Sequence, residues 1–298
     1  MNNFADRLQR RIDELKNPSC LGLDPLLSYL PKSWQREFDF SDDDDIYLAL
    51  RRYCFDLLDA TADIIPAIKL QMAYFEQYGT AGISAVRDVI AEAKALGMLV
   101  IVDGKRNDIG STASAYSNAY LTKTSFSADA LTVNAYLGSD GIRPFLEKCD
   151  ENGKGVFILC RTSNPSAGEL QDLELSDGRL VYEAMADLIS EWGEDLAGEE
   201  GISSVGAVVG ATWPEQAKSL RERMPRSFFL IPGFGAQGGT ASDAIAGFDK
   251  NGRAAIVNAS RSLMQAWKKQ GMKHDDFAAA CRLEAIAMRD SLREALSL

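Results

Sequence analysis

Eight short apolar runs recur along the chain, and longer stretches with helical spacing separate them. Several of the runs are continuous rather than alternating, which is typical of parallel strands buried on both faces. Strand and helix alternating eight times predict a closed (β/α)8 barrel, the TIM barrel of the α/β class. The predicted strands are Cys20–Leu23, Ile64–Leu70, Met98–Val102, Ala130–Val133, Val156–Cys160, Val205–Val209, Phe228–Ile231 and Ala254–Val257.

The stretches between the runs carry apolar residues at intervals of three and four, the spacing of one helix face. Residues 79–97 contain the stripe Ile83, Val86, Ile90, Ala93 and Leu96. Residues 178–196 contain the stripe Val181, Met185, Leu188, Trp192 and Leu196. An open doubly wound sheet is the competing fold, but it usually carries a G-x-G-x-x-G motif after its first strand. Here the first strand ends in LGLDP, residues 21–25, which favours the barrel.

A chain of 298 residues fits one barrel, so we predict a single domain over residues 1–298. Residues 1–16 form a charged amphipathic helix at its start. The segment around residues 164–204 is longer than a normal barrel connection and is interpreted as an insertion, a loop followed by a crossover helix. The acidic run after Ser41 predicts a helix start rather than a metal site. Ser41 would cap this helix, and the aspartates at 42–45 would lie in its first turn.

Composition excludes several classes of function. The formal net charge of −11 argues against a broad surface for nucleic acid or anionic membrane, so neither is an expected partner. No run of 18 apolar residues or signal peptide is present, and Cys20 and Cys160 lie inside apolar runs, so we expect a cytoplasmic, reduced protein. The one histidine, His274, precedes the last helix and is expected at the surface. Catalysis must then rest on lysines and carboxylates, with no metal or cofactor.

Nearly every predicted strand ends in a polar or glycine-rich group. In a barrel, catalytic groups collect at the carboxyl ends of the strands, and a purely structural face would not need this concentration. The groups are Asp24, Lys69, Asp103 with Lys105, Asn134, Arg161 with Ser163, Thr212, residues 232–239 and residues 258–261.

The third strand runs directly into charged residues, in the stretch VIVDGKRNDIGST at 100–112. Side chains alternate along a strand, so Asp103 and Lys105 should both point into the barrel mouth. Lys69 ends the neighbouring strand, so its ammonium should stand beside Asp103. Asp108 lies beyond the strand and either points elsewhere or reaches a neighbouring subunit. Without further signals, an ion-pair network that only satisfies the rim of the barrel is an equal alternative to a catalytic group.

Two segments near the carboxyl terminus predict a phosphate site. PGFGAQGG, residues 232–239, follows the seventh strand, and NASR, residues 258–261, follows the eighth. Barrels commonly bind phosphate here, through backbone N–H groups and the start of a short helix. Arg261 can add a bidentate, charge-assisted hydrogen bond. A tight loop without a ligand is the alternative for the glycine turn, but its place in the strand order favours phosphate binding.

Taken together, these motifs resemble one family. The chain resembles orotidine 5′-phosphate decarboxylases, especially their longer bacterial form, in a series of motifs. They are LGLDP, AIKLQ at 67–71, DGKRNDIGST at 103–112, RTSNP at 161–165, PGFGAQGG and NASR. The resemblance spans about residues 18–261. D-x-K-x-x-D alone is shared with sugar-phosphate lyases of the same superfamily, whereas Lys69 one strand earlier and Gln237 in the glycine turn make the likeness more specific.

The resemblance implies a set of site residues. The implied catalytic tetrad is Lys69, Asp103, Lys105 and Asp108, with Asp108 donated across a dimer interface. The implied substrate contacts are Asp24 and Thr112 to the ribose, with Thr112 serving the partner's site, Ser163 to the pyrimidine, and Gln237 and Arg261 to the phosphate. The implied phosphate loop also contains Gly235, Gly238 and Ser260. Ser260 occupies a position where compact members of the family often have glycine.

The activity implied by the resemblance is decarboxylation of orotidine 5′-phosphate to uridine 5′-phosphate, the last step of de novo pyrimidine biosynthesis. It would proceed without a cofactor in a homodimer with shared active sites, with Lys105 stabilising a carbanion at C6 and then protonating it. Two alternatives remain open from the residues alone. One is a sugar-phosphate lyase or aldolase that forms a Schiff base on Lys69 or Lys105. The other is a barrel that binds a phosphorylated ligand without catalysis.

Overall fold

The computed structural model describes residues 3–235 and 238–297, and in these residues eight parallel strands close into a barrel in sequence order. The predicted (β/α)8 fold is confirmed, and a strand forms at every predicted apolar run. Strand β3 continues four residues past its predicted end and so carries Asp103 and Lys105 within it. The strands are β1 (Ser19–Leu23), β2 (Ala67–Gln71), β3 (Leu99–Arg106), β4 (Ala130–Val133), β5 (Gly155–Arg161), β6 (Ser203–Val209), β7 (Ser227–Ile231) and β8 (Ala255–Ala259).

Helices follow every strand and surround the barrel. They are α1 (Phe4–Leu15), α2 (Asp43–Thr61), α3 (Ala73–Glu76), α4 (Gly79–Ala95), α5 (Gly110–Leu121), α6 (Ser139–Asn152), α7 (Gly168–Gln171), α8 (Val181–Trp192), α9 (Pro214–Arg223), α10 (Ala241–Ala244), α11 (Arg261–Met264), α12 (Ala266–Gln270) and α13 (Phe277–Leu296). Short 3₁₀ turns lie at Leu27–Tyr29, Lys32–Arg36, Pro165–Ala167, Glu194–Leu196, Ile245–Gly247 and His274–Asp276.

Helix α1 closes the amino-terminal end of the barrel. Its residues Phe4, Leu8 and Ile12 are buried together with apolar side chains from inside the barrel. The ring of Phe4 packs edge-on against Phe157 of β5, with 5.8 Å between the ring centroids. The carboxyl-terminal end of the barrel is therefore the end that is left for a site.

The helical stripes were predicted with unequal success. In α4, Val86, Ile90 and Ala93 of the predicted stripe are buried. In α8 the fully buried residues are Tyr182, Ala186 and Ile189, one position along from the predicted stripe. Met185 and Trp192 of that stripe are partly buried against the core, and Leu188 is 37% exposed.

Buried Arg161 at the end of β5 accounts for the shifted face of α8. The guanidinium of Arg161 lies 5.5 Å from the ring centroid of Tyr182, and the Cys160 thiol donates to the Tyr182 carbonyl at 3.4 Å. These contacts turn the neighbouring stripe of the helix inward.

The acidic run begins helix α2, as predicted, but the capping residue is Asp42 rather than Ser41. The Asp42 carboxylate accepts the backbone N–H groups of Asp44 at 2.9 Å and Asp45 at 3.1 Å. The Ser41 hydroxyl instead donates to Asp39 at 2.7 Å. Either residue type can cap a helix, so the choice between adjacent positions depended on this local turn.

Three further predictions concern the histidine, two cysteines and membrane-spanning helices. His274 is half-buried, since its ring stacks on Trp267 with 4.1 Å between centroids and its Nε2 lies 2.9 Å from the Tyr29 carbonyl oxygen. Cys20 and Cys160 are buried free thiols, as expected. Within the described residues, no helix has both the length and the apolar character needed to cross a membrane.

Candidate active site

A cavity of about 450 Å³ opens at the carboxyl ends of the strands. It collects groups from most strand ends and from the insertion after β5. Its lining residues are Asp24, Lys69, Gln71, Asp103, Lys105, Thr132, Leu159, Thr162, Ser163, Asn164, Gln171, Val208, Leu230, Pro232, Gly233, Phe234, Asn258, Ser260 and Arg261.

Asp103 is the centre of the charged part of this cavity. Its Oδ2 accepts hydrogen bonds from Lys69 Nζ at 2.7 Å and from Gln71 Nε2 at 3.0 Å. Its Oδ1 accepts hydrogen bonds from Lys105 Nζ at 2.6 Å and from Thr132 Oγ1 at 2.8 Å. Four donors from three strands therefore hold one carboxylate in a single orientation.

The pairing of Asp103 with two lysines outweighs the effect of burial on its charge. Burial alone would raise the pKa of Asp103, but the ammonium groups of Lys69 and Lys105 lower it well below the ordinary value. Burial alone would lower the pKa of Lys69, but the charges of Asp103 and Asp24 raise it above the ordinary value. Asp103 is thus ionised and Lys69 protonated at neutral pH.

Lys105 differs from Lys69 in its access to the cavity. The Lys105 side chain is 46% exposed, whereas that of Lys69 is 5% exposed. The backbone of Lys105 lies in the left-handed region at φ +45°, where the register between β3 and β4 shifts. A bulge of this kind re-aims a side chain at the rim of a sheet. The result is an ammonium anchored on a carboxylate and still open to a ligand.

The segment after β7 and the start of α11 form the opposite end of the cavity. Gly233 has φ +101°, a conformation that favours glycine, and it lines this end together with Arg261. Gly235 faces a neighbouring cavity that Arg261 also lines, and Gly238 lines neither of these two cavities. The predicted phosphate ligand Gln237 lies outside the described residues.

The end of β5 supplies a third wall. Ser163 lines the cavity and packs on Gly210 at the end of β6, where a Cβ atom would come within 2.8 Å of Ser163 Cβ. Gln171, from the insertion, accepts the backbone N–H of Thr162 at 3.0 Å and donates to the Thr162 hydroxyl at 2.8 Å. The insertion therefore braces the strand end that carries Ser163.

Arg161 does not face the cavity, although its position at a strand end suggested a polar group at the mouth. Its side chain is buried, and its guanidinium lies 4.4 Å from the Trp213 ring centroid. It donates to Gln171 Oε1 at 3.1 Å and to Asp172 Oδ2 at 3.2 Å. Arg161 thus anchors the insertion. Asn134 and Thr212, at the ends of β4 and β6, also lie outside the lining.

Two residues of the predicted set lie apart from the cavity of their own chain. Asp108 accepts the backbone N–H of Ile109 at 2.8 Å, and Thr112 is exposed on helix α5. Neither lines the cavity, whereas Asp24 does. Asp24 Oδ1 is buried without a hydrogen-bond partner among the described residues.

Lining residues to which the sequence assigned no individual role include Gln71, Thr132, Gln171 and Asn258. Strand alternation could have found two of them, because Gln71 shares the inward face of β2 with Lys69 and Asn258 shares that of β8 with Ser260. Gln171 gave no such signal, because it lies in an irregular segment. In residues 3–235 and 238–297 no cluster of three histidine, cysteine or acidic side chains converges as a metal site.

The fold and the cavity define the class of the protein as a (β/α)8-barrel enzyme. Two lysines and a carboxylate lie at one end of the cavity, and an arginine with a glycine turn lies at the other. A family model described as "Orotidine 5′-phosphate decarboxylase / HUMPS family" matches residues 19–271. The chain belongs to this family.

Similar proteins match over the whole chain. Orotidine 5′-phosphate decarboxylase from Rhodopirellula baltica is 42% identical, over 98% of this chain and 100% of that protein. The protein of the same name from Caldicellulosiruptor bescii is 40% identical over 100% of both chains. The structure of Leishmania donovani OMP decarboxylase matches with a TM-score of 0.73 and 32% identity, over 97% of this chain and 99% of that one. A solved chain from Streptomyces avermitilis matches with a TM-score of 0.83 and 35% identity, over 100% of this chain and 97% of that one.

Proposed function

We propose that this chain decarboxylates orotidine 5′-phosphate to uridine 5′-phosphate in pyrimidine biosynthesis. The observation that carries the proposal is the placement of Lys105, whose ammonium is bound to Asp103 at 2.6 Å and remains open to the cavity that Arg261 also lines. The family and the names borne by its similar proteins support the same activity.

In this mechanism the bond between C6 and the carboxylate breaks, and its electron pair stays on C6 as carbon dioxide leaves. The resulting sp² carbanion has no adjacent carbonyl to delocalise it, so fixed charges of the protein have to stabilise it. Lys105 supplies the positive charge and then transfers a proton from its ammonium to C6. Asp103 holds that ammonium in place before the reaction begins and is itself fixed by Lys69, so that little reorganisation is needed.

Repulsion between Asp103 and the substrate carboxylate contributes less than the lysine. Two like charges about 4 Å apart repel by about 4 kcal/mol at an effective dielectric near 20. Enzymes typically lower barriers by about 8–23 kcal/mol. Stabilisation of the carbanion by Lys105 is therefore the main effect, and repulsion is an addition to it.

The remaining predicted residues hold the substrate. Arg261 would bind the phosphate, Ser163 the pyrimidine and Asp24 a ribose hydroxyl through its unpaired Oδ1. Phosphate binding is remote from C6, so its energy can be used to position the reacting carbon. Gln237, Gly235 and Gly238 would complete the phosphate loop.

We propose a homodimer in which Asp108 and Thr112 act in the partner's site. Both lie outside their own cavity, and exposed apolar side chains follow the same strand ends: Ile109, next to Asp108, is 53% exposed, and Tyr136 and Leu137, after β4, are 76% and 46% exposed. Mixing a Lys105→Ala chain with an Asp108→Ala chain tests this arrangement. Random exchange should restore about a quarter of the activity, because half of the dimers are mixed and each mixed dimer has one intact site. No gain on mixing would contradict shared sites.

The whole of residues 1–298 would then act as one domain, because α1 closes the barrel and the insertion lines its cavity. Five buried free thiols suit a reducing compartment, which supports a cytoplasmic location.

A Schiff-base aldolase is the rival activity. Its lysine must be neutral to attack a carbonyl, whereas the pKa of Lys69 is raised above its ordinary value by Asp103 and Asp24 despite burial. The test is the loss of orotidine 5′-phosphate absorbance in the presence of a chelator. We expect orotidine 5′-phosphate to be consumed in the presence of the chelator. We also expect that borohydride traps no covalent adduct between a lysine and a carbonyl substrate. Absence of turnover would overturn the proposal.

A further inference from the structure

Gln71 ends strand β2 and points into the cavity. It lies two residues after Lys69, so both side chains lie on the same face of the strand. The register of the barrel pairs Gln71 with Asp103 of β3. Gln71 is partly exposed and lines the cavity, whereas the side chain of Lys69 is 5% exposed. Of these two partners of Asp103, Gln71 is therefore the more accessible to a ligand.

The side-chain amide of Gln71 has an unused hydrogen-bond donor. Its Nε2 donates to Asp103 Oδ2 at 3.0 Å, and this is its one side-chain hydrogen bond in residues 3–235 and 238–297. The nitrogen rather than the oxygen of the amide must face Asp103, because an ionised carboxylate only accepts hydrogen bonds. An amide nitrogen carries two hydrogens that point in different directions, so the bond to Asp103 leaves the second N–H for a ligand.

The carboxylate on C6 of orotidine 5′-phosphate is the acceptor that the proposed mechanism brings to this N–H. Lys105 has to reach C6, and its Nζ bonds Asp103 Oδ1 at 2.6 Å, while Gln71 bonds Oδ2 of the same carboxylate. The group attached to C6 would thus lie beside Asp103, between the donors on its two oxygens. A neutral donor at this place offsets part of the repulsion between the two carboxylates.

We propose that Gln71 determines specificity for the carboxylated nucleotide, because its amide bridges the Asp103 carboxylate and the substrate carboxylate. The inference rests on the proposed function and adds a protein contact for the group that leaves. One N–H holds the amide on Asp103, and the other donates to the substrate. When carbon dioxide departs, the acceptor of the second bond departs with it. Gln71 therefore favours binding of the substrate over binding of the product.

The experiment measures the affinities of orotidine 5′-phosphate and uridine 5′-phosphate by calorimetry, in the full chain carrying Lys105→Ala so that turnover does not consume the substrate. Uridine 5′-phosphate has the same ribose and phosphate but no carboxylate on C6. Adding Gln71→Met should weaken orotidine 5′-phosphate binding by about tenfold, the effect of one hydrogen bond to a charged group, and change uridine 5′-phosphate binding by less than about twofold. Gln71→Glu should weaken orotidine 5′-phosphate binding at least as much, because a second carboxylate offers no N–H.

Gln77→Met is the matched control, because Gln77 is exposed outside the cavity, and it should change neither affinity. Thermal melting of both Gln71 variants should stay close to that of the Lys105→Ala chain, since the Gln71 side chain is partly exposed.

Two results would overturn the inference. Equal losses of affinity for the two nucleotides would mean that Gln71 serves the ribose or the shape of the cavity. An unchanged affinity for orotidine 5′-phosphate would mean that the amide binds only Asp103. The proposed function is judged separately, by turnover of orotidine 5′-phosphate in the wild-type chain. A chain that distinguishes the two nucleotides through Gln71 but performs no decarboxylation would refute the activity and support the contact.

Discussion

The backbone N–H of Lys105 donates to Oγ1 of Thr132 at 2.9 Å, and the same hydroxyl donates onward to Asp103 Oδ1 at 2.8 Å. Lys105 is one of few non-glycine residues with positive φ in the described structure, a conformation that costs roughly 1–2 kcal/mol. Thr132 thus fixes both the unusual backbone of the lysine and the carboxylate that orients its ammonium.

Thr132→Val should lower kcat by about 10–100-fold with a small effect on KM, because the isosteric valine leaves two groups without their hydrogen bond. Steady-state kinetics with orotidine 5′-phosphate provides the measurement. Thr132→Ser keeps the hydroxyl and is the control, and it should recover most of the rate. Equal kcat values for the valine and serine variants would contradict a positioning role.

Lys105→Ala should lower kcat/KM by at least about 10³-fold, because it removes the charge that stabilises the carbanion and the proton that quenches it. Its melting temperature should stay close to that of wild type, since the side chain is 46% exposed. Lys123→Ala, at an exposed position outside the cavity, serves as the control for loss of a positive charge. Near-normal turnover without Lys105 would remove the mechanism.

Arg261→Ala should raise KM for orotidine 5′-phosphate more than it lowers kcat, because Arg261 lines the cavity from the start of α11, whereas Lys105 and Asp103 line it from β3. Arg261→Lys keeps the charge but loses bidentate geometry, so its KM should fall between those of the other two proteins. An unchanged KM in the alanine variant would mean that Arg261 does not bind the phosphate.

Asp103→Asn should be less stable than wild type at pH 7 by about 3–5 kcal/mol, because buried Lys69 loses its charged partner. The pKa of Asp103 is depressed in the folded chain, so its stabilising contribution is present above the ordinary aspartate value and is lost as pH falls below about 4. We would measure the free energy of unfolding in urea from pH 7 to pH 3. The difference in this free energy between wild type and variant should become smaller as the pH falls below about 4. A constant difference would contradict the ion pair.

The native chain should show no rapidly reacting thiol at pH 8, and unfolding should expose five. Burial raises the pKa of Cys20 and of Cys281 to about 12, and those of the other three cysteines are also raised by burial. Thiolate is the reactive form, so both access and ionisation are suppressed. Labelling with a chromogenic disulfide before and after denaturation measures this, and one fast equivalent in the native state would contradict it.

Local pattern was sufficient for the order of the elements and for the position of the charged motif. Continuous apolar runs such as Val156–Cys160 form strands because both faces of a parallel sheet are buried, so consecutive residues of the strand all have to be apolar. Asp103 and Lys105 do meet at the cavity as predicted, although a left-handed backbone and a bulge at Lys105, rather than regular alternation, aim the lysine. Ser41 and Asp42 are almost equally good helix caps, and two adjacent stripes of α8 are almost equally apolar. In both cases the prediction from the local pattern was one residue away from the observed position.

The tertiary structure decided which distant groups meet. Gln71 reaches Asp103 because the register of the closed barrel pairs these two residues, and Thr132 reaches it because β4 pairs with β3 beside a bulge. Arg161 turns away from the cavity because the insertion offers it partners. Sequence specifies the face and period of each element through neighbours a few residues apart. Contacts across dozens of residues depend on barrel closure and strand register, which no short stretch of the chain contains.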